Sequence, residues 1–156
     1  MGDQELSQEL RDIERLLLRV SWLEQRRFAQ DLAEFGLTVP QFLALRAIHH
    51  GGKQPTMTAL ADKTLQRCAT MTGIVGRLVK MQLVKRQRDP ADRRRVLVEL
   101  TSPGRELMQK VRLAREKRLR ETLAHLPLAD ARELLRLLAL YLETFREHYE
   151  ESENTP

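Results

Sequence analysis

The 156 residues carry 27 Lys and Arg against 22 Asp and Glu, a formal net charge of +5, and 42% of them are apolar. That length fits one domain with at most a helical appendage, and no apolar run approaches the ~18 residues that mark a transmembrane helix. The polar opening "MGDQELSQEL" is unlike a secretory or transit signal, and the lone Cys68 cannot close an internal disulfide, so a reducing, cytoplasmic setting is expected, with no membrane partner.

Leu6, Leu10, Ile13, Leu17 and Val20 recur at spacings of four and three, and Leu16, Leu23, Phe28, Leu32 and Phe35 broaden the stripe. This period predicts a long amphipathic helix with Gly36 as its C-terminal cap. Thr38 to Gln41 has the Thr-x-x-Gln spacing of a capping box with proline in the first turn. A second helix is therefore expected from Val39 to about His49, stopping at Gly51-Gly52, and a short third one begins near Thr56. In "RCATMTGIVGRLVKM", Met71, Ile74, Val75, Leu78 and Met81 share one helical face, which leaves Thr70, Thr72, Gly73, Gly76, Arg77 and Lys80 elsewhere.

Leu83 and Val84 open a strand that reaches about Arg88, "DPAD" forms a turn, and Arg95 to Leu100 returns with Val96, Val98 and Leu100 on one face. "TSPG" closes the hairpin and starts a helix, with Pro103 in its first turn, that runs to about Leu126. After Pro127 a last helix carries Leu128, Ala131, Leu134, Leu135, Leu138, Leu142, Phe145 and Tyr149, ahead of a frayed tail at 151–156.

The charge is uneven. Residues 63–95 hold ten Lys or Arg against Asp89 and Asp92, a local +8, so the remainder sums to −3. A basic middle between acidic ends points to a polyanionic partner that meets only the middle. Two short helices joined by a tight turn and followed by a basic hairpin make a winged helix-turn-helix. In such readers the second helix enters the major groove of double-stranded DNA. Met71, Ile74, Val75 and Leu78 suit its inner face, and Thr70, Thr72, Arg77 and Lys80 suit its outer one. Gly73 and Gly76 cost helix stability; a close backbone approach by DNA or another helix accounts for them, and so does a simple packing gap. Arginines at the hairpin tip suit the narrow, electronegative minor groove, with neighbouring Lys and Arg on phosphates.

Residues 38–104 resemble the MarR family of winged-helix transcription regulators. "DPADRRRVLVELTSPG" is similar to that family's Asp-Arg-Arg wing and Leu-Thr-x-x-Gly helix start, and "LADKTLQRCATMTGIVGRLVKMQLVKR" has its helix-turn-helix spacing. The resemblance implies a mainly α fold with a small β-hairpin wing. A DNA-binding lobe at 37–101 lies between dimerisation helices at 1–36 and 102–150, and the two chains of a homodimer intertwine through those helices.

It further implies Arg94 in the minor groove, Asp92 holding the wing through an arginine partner, and Thr70, Thr72, Gly73, Arg77 and Lys80 on the recognition helix with base or phosphate contacts; Arg67, at the start of that helix, is also a candidate DNA contact. Arg86, Arg88, Arg93 and Arg95 are left to phosphate attraction or solvation. A two-fold dimer meets a pseudo-palindromic operator with half-sites about one helical turn apart. Two positions depart from the family pattern: Arg67 and Cys68 stand where the recognition helix usually starts after Ser or Thr, and Gln82 stands where a glycine precedes the wing. Gln82 must therefore adopt a glycine-like backbone or shift the turn.

Other functional readings are thinner. No Ser-His-Asp spacing, phosphate loop or CxxC pair points to an enzyme, and no cofactor is implied. Cys68, beside Arg67 and near Lys63, carries a redox-switch alternative. A winged helix used only for protein interaction would present an apolar face rather than a basic one. His49 and His50, with His125 and His148 remote, do not make a converging metal set. By resemblance, a small aromatic or phenolic effector sits between the dimer helices and the DNA-binding lobe; Arg19, Trp22, Arg26 and Phe42 are candidates to line such a pocket, and Trp22 is equally a core or dimer-interface residue.

Overall fold

The computed structural model describes residues 2–50, 55–90, 92 and 95–153. Their order is α1 (Gly2–Glu34), α2 (Val39–His50), α3 (Met57–Lys63), α4 (Cys68–Lys80), β1 (Val84–Arg88), β2 (Val96–Leu100), α5 (Ser102–Leu123) and α6 (Leu128–Glu153). The chain divides into two compact units, Met1–Ala114 and Arg115–Pro156. The mainly helical winged-helix arrangement is the expected one.

Three of the helices end in the same way. After α1, Gly36 sits at φ +68, its N–H donates to Ala33 and the Leu37 N–H donates to Leu32. This pair of bonds with a left-handed residue between them is the Schellman motif, and glycine adopts it without steric penalty. The same pair closes α3, where Leu65 N–H donates to Asp62 and Gln66 N–H to Ala61, and α4, where Gln82 N–H donates to Val79 and Leu83 N–H to Leu78. Here the left-handed residues are Leu65 at φ 52 and Gln82 at φ 59. Gln82 thus takes the glycine-like backbone that its position demands. Leu65 had no such signal in the sequence.

The starts follow side-chain chemistry. The Thr38 N–H donates to Gln41 Oε1 at 2.8 Å, the reaching-back half of the capping box, and Gln41 is buried. Thr56 Oγ1 accepts from the Ala59 N–H at 3.2 Å and begins α3. Thr101 Oγ1 accepts from the Gly104 N–H and donates to the Gln82 carbonyl at 2.7 Å, tying the start of α5 to the end of α4.

The core of the first unit gathers Leu32, Leu45, Leu60, Met71, Val75, Leu78, Val98 and Val111 from α1 to α5, with Phe28 packed edge-on against Phe42 at 5.1 Å. The hairpin pairs Val84 with Leu100, Arg86 with Val98 and Arg88 with Val96. A third edge, absent from the sequence reading, comes from the residues before α3: Thr56 bridges Leu97, and the Val98 N–H donates to the Pro55 carbonyl.

Several boundaries move. Leu83 belongs to the turn after α4 rather than to the strand, because its N–H is taken by Leu78. Met81 is the C-cap of α4 and 38% exposed, not part of the buried face. Helix α5 stops at Leu123, three residues early, and α6 continues through Glu153 into the expected tail. The expected stop at Gly51-Gly52 lies outside the described residues.

Candidate nucleic-acid interface

Helix α4 buries Met71, Val75 and Leu78 completely, which fixes its inner face against the core. Its remaining surface presents Thr70, Thr72, Gly73, Arg77 and Lys80, all exposed. A Cβ added at Gly73 would meet nothing within 4 Å, so that face of the helix is open. Arg67 is the N-cap in extended backbone and makes no side-chain cap bond. The departure noted at this turn is therefore real, and the helix starts without the usual side-chain acceptor. Thr72 Oγ1 donates back to the Cys68 carbonyl at 2.9 Å.

On β1 the alternation of side chains puts Val84, Arg86 and Arg88 on one face and Lys85 and Gln87 on the other. Val84 is buried, so Arg86 and Arg88 continue the core-facing side of the hairpin beyond the apolar core. Arg86 Nη2 accordingly reaches across to α4 and donates to the Thr72 carbonyl at 3.1 Å. On the opposite face Lys85 pairs with Glu99, its register partner on β2.

Towards the tip, the Asp89 N–H donates to the Arg95 carbonyl and the Arg95 N–H to the Asp92 carbonyl. Asp92 is exposed, and Arg93 and Arg94 lie outside the described residues. Arg105, just past the wing, donates to the Leu100 carbonyl at 2.7 Å and to Ser102 Oγ, so it fastens α5 to β2.

The residues proposed for an effector do not all meet. The Arg26 guanidinium stands 5.5 Å from the Trp22 ring centroid, a cation–π geometry on a side chain that is 57% exposed. Trp22 is therefore not a core residue of the single chain. Arg19 is exposed on the same helix, whereas Phe42 is buried in the core against Phe28. Cys68 is exposed as the first residue of α4. The His49 and His50 rings lie 5.1 Å apart, and no group of three or more His, Cys, Asp or Glu is arranged for a metal among the described residues. No described helix is long and apolar enough to cross a membrane.

A MarR family model matches residues 35–95. YsmB of Bacillus subtilis (strain 168), an uncharacterized HTH-type transcriptional regulator, is 33% identical over 110 residues, which cover 70% of this chain and 75% of YsmB. The chain belongs to the MarR family. Another relative, the HTH-type transcriptional repressor NicR of Pseudomonas putida, is 40% identical over 81 residues, covering 52% of this chain and 51% of NicR. Among solved structures, a mutant of MepR from Staphylococcus aureus superposes with a TM-score of 0.79 at 20% identity, covering 85% of this chain and 97% of MepR. A second MepR mutant, bound to an oligodeoxyribonucleotide, has a TM-score of 0.68 at 19% identity, with 85% and 96% covered. As a MarR-family protein the chain is a DNA-binding transcriptional regulator, and the family match spans α2 to β1 and stops just before β2.

Proposed function

We propose that this MarR-family chain is a repressor that holds a pseudo-palindromic operator as a homodimer and lets go when a small aromatic or phenolic effector binds. The observation that carries the reading is the exposed polar face of α4 set beside an arginine-bearing strand, the two joined by the Arg86–Thr72 bond. Thr70, Thr72 and Gly73 meet base edges, and Arg67, Arg77, Lys80 and Arg93 meet phosphates. Arg94 enters the minor groove, and Asp92 orders the wing.

The dimer reading is supported by apolar side chains exposed on the single chain: Leu16, Leu17 and Leu23 on α1, and Leu135, Leu138 and Leu142 on α6. Stripes of that length on a soluble regulator call for a partner surface, and a second copy supplies an identical one. NicR, described as a repressor, supports the sign of regulation. Release follows from linkage: an effector that prefers a dimer with mismatched half-site spacing weakens DNA binding by its differential affinity. Trp22 and Arg26 offer an aromatic face and a cation for a phenolic carboxylate. The protein works in the cytoplasm, where the operator is.

Selection from a pool of genomic fragments, followed by gel-shift titration at rising salt, tests the reading. Binding by this basic face weakens steeply as salt rises. Equal affinity at low and high salt, or no enriched fragment, refutes it.

A further inference from the structure

Arg86 reaches from the wing back to the recognition helix. Its guanidinium crosses fourteen positions of sequence, from the wing to the middle of α4, and donates to the Thr72 carbonyl. In a helix that carbonyl also takes the Gly76 N–H, so the arginine shares an acceptor that lies inside the recognition helix. Gly76 lies beneath the arginine: a Cβ there would stand 3.8 Å from Arg86 Nη2, in ordinary van der Waals contact, and a branched side chain would press on the guanidinium. Gly73 faces open space by comparison. The two glycines of α4 therefore have different surroundings, one turned to open space and one lying beside the Arg86 guanidinium.

We propose that Arg86 is a positioning residue that latches the wing to α4 through the Thr72 carbonyl over Gly76, setting the angle between the two DNA-contacting elements, rather than a phosphate anchor. The proposal rests on the DNA-binding reading of this face. The sequence supports the arrangement: Arg86 follows Val84 by two on β1 and pairs with Val98, so it shares their face of the hairpin and lies exposed at its edge, within reach of α4. A guanidinium suits the task because its planar fork holds direction, whereas a lysine ammonium is a point charge on a flexible stem. A latch of this kind contributes more than the general attraction of its charge. It sharpens recognition, because base-reading side chains and the wing must fall into register together.

The test compares Arg86→Gln with Arg77→Ala on two probes, the duplex enriched from genomic fragments and a mixed-sequence duplex, each across a salt series. A phosphate contact weakens both duplexes alike and lowers the salt slope by about one. For Arg86→Gln, which also removes one charge from the basic patch, the expected result is a loss of about ten-fold on the enriched duplex, the scale of one charge-assisted bond, and a clearly smaller loss on the mixed-sequence duplex. Gly76→Leu, which fills the seat from the helix side, should reproduce that loss, and the double variant should fall no further than either single one.

Hydrogen exchange on the protein without DNA gives an independent arm: with the wing's hold on α4 lost, local opening should be easier, so amides around Gly76 should exchange faster in Arg86→Gln while the thermal midpoint stays put. A slope lowered by one together with unchanged exchange overturns the latch. Wild-type chain that binds neither duplex would sink the DNA-binding reading instead, and the exchange arm would still decide the latch.

Discussion

The Leu83 carbonyl oxygen occupies the space that a Cβ on Gly104 would need, and the Leu83 carbonyl carbon would stand only 3.0 Å from that atom. Gly104 is buried in the first turn of α5, and the same Leu83 carbonyl accepts the Thr101 N–H at 3.1 Å. Backbone, not a flexible side chain, is the obstacle, so neither partner gives way cheaply. Gly104→Ala is expected to destabilise the fold by about 1–3 kcal/mol, the scale of overpacking in a tight site. Urea midpoints at fixed protein concentration measure it, and a change within error would show that the turn after α4 relaxes freely.

Thr101 serves two helices with one hydroxyl, accepting from Gly104 and donating to the Gln82 carbonyl. Thr101→Val keeps the shape and removes both bonds, so a loss of about 1–2 kcal/mol is expected from the missing cap, with Thr101→Ser close to wild type. Equal losses in Val and Ser variants would place the effect in packing instead.

Among the described residues, two left-handed ones, Leu65 and Gln82, carry side chains. Glycine in their place relieves about 1–2 kcal/mol of steric cost per residue and returns part of it through the freer unfolded chain, about 0.4–1 kcal/mol. Leu65→Gly and Gln82→Gly should each stabilise by roughly 0.5–1 kcal/mol on that balance, and the gains should add because the turns are separate. Thermal midpoints of the single and double variants decide this; a fall in either would mean that its side chain makes a compensating contact.

Leu138 is 51% exposed on α6 in the single chain. If a second copy covers it, Leu138→Glu should shift sedimentation towards the monomer mass or lower the dimer's stability several-fold in concentration dependence. Trp22, the single tryptophan and itself exposed, gives a second readout. Its emission in the wild type should shift blue as the chain associates, and constant emission across a dilution series would argue against a dimer built on α1.

Arg77→Ala and Lys80→Ala should each lower the slope of log affinity against log salt by about one. Arg94→Ala should lose operator affinity and leave sedimentation unchanged. Wild-type binding by Arg94→Ala would remove that residue from the wing's groove contact.

Most of the element order could be read from the sequence, because long helices announce themselves by apolar period and by capping residues. Thr56, Thr101 and Gly36 all fall at the helix ends where their chemistry put them. The details that escaped depend on tertiary geometry. Nothing local distinguishes Leu65 as a left-handed residue, since leucine has no preference for that region; the pair of bonds around it is what holds it there. The Thr56–Leu97 bridge joins residues forty-one positions apart and has no periodic signature. Arg86 is the nearer case. Its charge groups it with the other wing arginines, and its bond to the Thr72 carbonyl joins segments fourteen positions apart, which no local pattern shows.

The two side-chain-bearing turns also bear on how well α4 is aimed. Leu65 stands before that helix and Gln82 after it, at φ 52 and φ 59. An L-residue has only a small basin at positive φ, whereas glycine roams a wide one. The helix is therefore hung between two narrow torsional wells, which makes its joints costlier and also stiffer than glycine joints would be. Glycine substitutions that raise the melting temperature should for the same reason widen the range of angles α4 samples. Thermal stability and precision of groove reading are thus expected to move in opposite directions at these two positions.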